Sequence, residues 1–108
     1  WHVGAPHCLR IKAVLHKGNA LPATQLVLLV PPNCEINGTP IWEVPADDPV
    51  MPGYRALGSR LWDYRAWSPF EWEYHHLEPV NAGPLTLYYA VYGEAYSTAP
   101  RAIRINVT

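Results

Sequence analysis

The chain has 108 residues, 49% hydrophobic and 16% charged, with a formal net charge of −1. That length supports one hydrophobic core and not two, and that balance excludes a disordered chain. The eight Lys and Arg are scattered, unlike the concentrated basic face that binds nucleic acid, and no apolar run approaches the ~20 residues of a membrane-spanning helix.

The first residue is Trp1 rather than Met, and no signal-peptide pattern follows, so the sequence reads as a processed chain or a piece of a longer one. Twelve prolines spread over the length leave few windows for an interior helix. The best helical window, Gly58 to Trp67, lacks a clean 3.6-residue apolar stripe. Extended segments are easier to find. Cys8 to His16 alternates, with Leu9, Ile11, Ala13 and Leu15 on one face, and Gly18-Asn19 marks a turn. Gln25 to Val30 is apolar on both faces and reads as a central, covered strand ended by Pro31-Pro32-Asn33. Ile41 to Val44 is a short third strand, and Ala46 to Gly53 a loop rich in Pro and Asp.

Phe70 to His75 is the clearest strand, with Phe70, Trp72 and Tyr74 on one face and Glu71 and Glu73 on the other. Leu77 to Pro84 reads as a turn region. Leu85 to Tyr92 is a strand with Leu85, Leu87, Tyr89 and Val91 on one side, and Gly93 to Pro100 reads as a turn. Ala102 to Val107 closes the chain, with Ile103, Ile105 and Val107 inward and Arg104 and Asn106 outward. Short strands at this spacing predict an all-β fold: a two-sheet antiparallel β-sandwich of about seven strands, with residues 1–108 forming a single domain.

The two cysteines admit two readings. If residues 8–16 and 25–34 pair as an antiparallel hairpin, Cys8 faces Cys34 and a disulfide can form. It would close about 26 residues and contribute roughly 3.5 kcal/mol in the chain-entropy model. The alternative is two free, buried thiols acting as small hydrophobes. A catalytic thiol is disfavoured, because His7 and Cys8 point to opposite faces of a strand.

His75-His76 could bind a metal with help from His2 or His7, but zinc sites show tighter ligand spacing, so the expectation is no metal and no cofactor. Asp47-Asp48 lacks the regular acidic spacing of a calcium loop. Glu71 and Glu73 share a face, as the two carboxylates of a glycosidase do, and read more simply as a solvated strand face. Trp62, Tyr64, Arg65 and Trp67 form the candidate binding surface. Their side chains are those enriched at binding hot spots and able to stack on sugars, or they fold over the sandwich edge. Asn37-Gly38-Thr39 and Asn106-Val107-Thr108 are glycosylation sequons with acceptors Asn37 and Asn106.

Leu77-Glu78-Pro79 followed by Leu87 to Gly93 resembles the turn and penultimate strand of a fibronectin type III or immunoglobulin-like module, and Ser97 to Val107 resembles its last strand. Leu28 to Pro32 before Ile41 to Val44 is similar to its second- and third-strand region. The resemblance implies an immunoglobulin-like sandwich. Fold-level likeness carries no specific function; the functional expectation, with no catalytic motif in the sequence, is a non-enzymatic binding or adhesion module, extracellular, cell-surface or periplasmic, one domain of a larger protein. The partner is expected to be a protein or a glycan. The alternatives are a carbohydrate-binding module and a protease-inhibitor domain presenting its loops.

Overall fold

In the computed structural model, residues 1–14, 21–36, 53–59, 62–64, 69–93 and 96–108 are described, with the backbone alone at 21–23, 62–64, 69–70 and 96–97. They form nine strands: β1 His7–Val14, β2 Leu21–Val30, β3 Cys34–Ile36, β4 Arg55–Gly58, β5 Trp62–Tyr64, β6 Pro69–Pro79, β7 Gly83–Gly93, β8 Tyr96–Ser97 and β9 Arg101–Val107. No helix occurs among the described residues, and Gly58 to Trp67 contributes strand β5.

Two antiparallel sheets result. The smaller has the order β1-β6-β3. In the larger, β2 and β7 are central. β4 and β5 follow one another along the outer edge of β2, and β8 and β9 along the outer edge of β7. Each pair is one edge strand interrupted by an irregularity, so the nine segments occupy seven strand positions. At the first interruption the chain stays on β2: the Ser59 N–H donates to the Leu26 carbonyl at 2.8 Å, and the Leu26 N–H donates to Ser59 Oγ at 2.9 Å. At the second, Thr98 trades the same two bonds with Val91, each at 2.9 Å. Irregularities at sheet edges also disfavour edge-to-edge aggregation.

The two sheets share one interior. Ile11, Cys34, Tyr74 and Leu77 from the smaller sheet pack with Leu26, Leu28, Val30, Leu57, Leu85, Leu87 and Val107 from the larger. Tyr74 is fully buried, and its hydroxyl crosses the interface to donate to the Leu26 carbonyl at 3.1 Å. The opposite face of β2 is buried too: Val27 and Leu29 pack with Ala90 and Tyr92 under Tyr54, Ala56 and Tyr88. This is why β2 carries no polar alternation and reads as central and covered.

The pairing of β1 corrects the hairpin expectation. β1 pairs β6, with Leu9 opposite Tyr74, Ile11 opposite Trp72 and Ala13 opposite Phe70. β2 pairs β4, β5 and β7 and lies in the other sheet. An immunoglobulin sandwich keeps its first two strands in one sheet; this chain separates them. Of the turn region expected over Leu77 to Pro84, Val80 to Ala82 form the bend, while Leu77 to Pro79 continue β6, which pairs β3 through Ile36↔Leu77 and Cys34↔Pro79, and β7 begins at Gly83. The predicted third strand, Ile41 to Val44, and most of the loop Ala46 to Gly53 lie outside the described residues.

Candidate functional site

Alternation along β1 sends Leu9, Ile11 and Ala13 toward the core and leaves Cys8, Arg10 and Lys12 exposed. Along β6, Trp72 and Tyr74 turn in, while Glu71 and Glu73 face solvent as a charged strand face. The register sets Arg10 opposite Glu73 and Lys12 opposite Glu71, so opposite charges meet across the strands. Arg10 Nε donates to Glu73 Oε1 at 2.8 Å, and its Nη2 reaches the same oxygen. The guanidinium holds the Glu73 carboxyl below the usual carboxylate range, first through the hydrogen bond and then through its charge.

A β-bulge organises the end of this face. The register steps between Leu9↔Tyr74 and His7↔Leu77, so Cys8 faces two residues, His75 and His76. His76 absorbs the extra residue with φ of +59°, in the left-handed region that histidine enters more readily than most side chains. The bulge resets the alternation: Leu77 turns back into the core, and His75 and His76 are both exposed. One inward and one outward histidine, as strict alternation requires, is therefore not what forms. His75 Nε2 lies 3.2 Å from Glu73 Oε2. Cys8, Glu73 and His75 each bring one donor atom into a set whose members are all within 4.8 Å of one another. The Cys8 thiol is pushed up by partial desolvation and by Glu73, against the opposing pull of Arg10.

The cysteine expectation is corrected on the same geometry. Both thiols are free, with Cys8 exposed and Cys34 buried. Their strands flank β6 on opposite sides, and their side chains leave the sheet on opposite faces. Burial pushes the Cys34 thiol up to about 11.

Of the aromatic candidates, Trp62 and Tyr64 fall on β5, opposite Thr24 and Leu21 of β2, with their side chains outside the described residues. Arg65 and Trp67 lie outside the described residues, as does the first sequon acceptor, Asn37. Asn106 is exposed on β9, as its alternation predicts. His2 and His7 form a separate group at the chain start, and His16 lies outside the described residues. His7 stacks on Trp1 at 4.7 Å and accepts a hydrogen bond from the His2 N–H at 2.9 Å.

The sandwich opens along one flank. A groove with a cavity volume of about 410 Å³ runs between the two sheets, where Lys12 and Val14 of β1 approach Val91, Thr98, Pro100 and Arg101. Among the described residues β1 has one strand neighbour, so its backbone edge borders this groove unpaired. The groove was not legible in the sequence, and His75 was legible there as a metal candidate only beside His76, His2 or His7, not beside Cys8 and Glu73. Groove and cluster both depend on β1 lying beside β6, whose partner residues are 55 to 70 positions away along the chain. No protein-family model, no curated protein and no solved structure matches this chain.

Proposed function

We propose that this domain is a non-enzymatic binding or adhesion module, one unit of a larger surface or secreted protein, and that its partner is a protein segment received at the β1 flank. The observation that carries the reading is the groove beside the unpaired β1 edge. A free strand edge offers main-chain donors and acceptors to an extended peptide, and side pockets choose among side chains. Lys12 and Arg101, both exposed, give the rim positive charge, so the fitting segment is extended and acidic.

Support for a secretory setting comes from the exposed Asn106 acceptor. The disulfide no longer contributes to it, and free thiols are ordinary in reducing compartments. The binding role rests on neither.

Selection from a displayed random peptide library tests the reading. The expected products are acidic extended peptides whose binding weakens with added salt and at least ten-fold in a Lys12→Glu/Arg101→Glu variant. Enriched peptides indifferent to that double change would refute it. The carbohydrate alternative is supported instead if neutral oligosaccharides quench tryptophan fluorescence saturably in the wild-type chain and not in Trp62→Ala.

A further inference from the structure

We propose that Cys8, Glu73 and His75 form a zinc site on the outer face of the smaller sheet, completed by solvent or a ligand at an open fourth position. The inference is independent of the groove. Its first support is the donor set. A thiolate, an imidazole and a carboxylate are the three protein ligand types of zinc, whereas calcium and magnesium take all-oxygen shells.

Distances supply the second support. Tetrahedral zinc with nitrogen and oxygen ligands at ~2.0–2.1 Å holds those two atoms roughly 3.3 Å apart. His75 Nε2 and Glu73 Oε2 are 3.2 Å apart. A Zn–S bond of ~2.3 Å sets sulfur roughly 3.6 Å from the other ligands. Cys8 Sγ is within 4.8 Å of one donor atom of each residue, so an adjustment of about 1 Å by an exposed side chain completes the set.

Arg10 gives the third. It engages Glu73 through Oε1 and leaves Oε2 turned toward His75. Ligating carboxylates are characteristically held this way by an outer hydrogen bond, so Arg10 is a positioning residue that makes Glu73 a one-oxygen ligand. Cys8 and the Glu73–His75 pair are mounted on paired strands, and the bulge fixes their relative height. Metal entry would release the Cys8 thiol proton to solvent.

Titration of the whole chain with Co²⁺, then Zn²⁺, tests the site. One equivalent of cobalt is expected to produce thiolate-to-cobalt charge-transfer absorption and strong visible bands of tetrahedral geometry, which zinc then bleaches. Cys8→Ser should abolish the charge-transfer band. Glu73→Gln and His75→Gln should each weaken binding about ten-fold or more, while a His2→Gln/His7→Gln variant keeps it. In the unmodified chain, the His75 imidazole signals should shift on zinc addition, a readout that needs no variant to fold. The proposal is overturned by the absence of a one-equivalent transition, by a charge-transfer band that survives Cys8→Ser, or by unmoved His75 signals.

Discussion

At the scale of single residues, Tyr74 joins the two sheets by more than packing. Its ring is fully buried, and its hydroxyl meets the carbonyl of Leu26, the residue also engaged by Ser59. Tyr74→Phe keeps the ring and removes the donor. The Leu26 carbonyl retains its bond from Ser59, so the expected loss is about 1 kcal/mol in urea unfolding; a neutral result would show that the hydroxyl is not buried against Leu26. The cysteines make a second case. Thiol titration of the native, unreduced chain should find one reactive group, Cys8, and two after denaturation. No thiol in the denatured, unreduced chain would restore the disulfide. Because burial raises the Cys34 thiol to about 11, its protonated form is favoured in the fold. Its contribution is therefore complete below the unfolded thiol value and is lost as pH rises through about 11.

At the scale of elements, the alternating strands were legible because each carries its own instruction. Leu85, Leu87, Tyr89 and Val91 of β7, and Ile103, Ile105 and Val107 of β9, face the interior as their two-residue period requires. Trp72 and Tyr74 of β6 do the same, while the Phe70 side chain lies outside the described residues. β3 was not legible, since Cys34–Ile36 is too short to show a period and exists by pairing with β6. The bulge was hidden for a related reason: nothing local in His75-His76 says that a single residue, Cys8, will oppose both. His76 provides the test. Val is strained at its positive φ, so His76→Val should cost ~1–3 kcal/mol. Gly adopts that conformation freely, and His76→Gly should stay within about 1 kcal/mol of the parent by urea midpoint. Equal tolerance of both would argue against the bulge.

For the whole molecule, the class of fold followed from composition, proline spacing and alternation, while the strand order did not. Whether β1 adds to β2 or to β6 leaves the inward set of β1 unchanged: Leu9, Ile11 and Ala13 bury in either case. The local pattern is therefore satisfied by both topologies, and the choice is made by distant partners such as Tyr74 and Trp72. The functional consequences all hang on that choice. Pairing with β6 separates Cys8 from Cys34, gathers Cys8, Arg10, Glu73 and His75 on one solvent face, and leaves the far edge of β1 bordering the groove. The most direct measurement is a nuclear Overhauser spectrum of the labelled chain. Cross-strand backbone contacts should join Leu9 to Tyr74 and Ile11 to Trp72. Contacts from these β1 residues to β2 in their place, closing a hairpin that sets Cys8 against Cys34, would contradict the account.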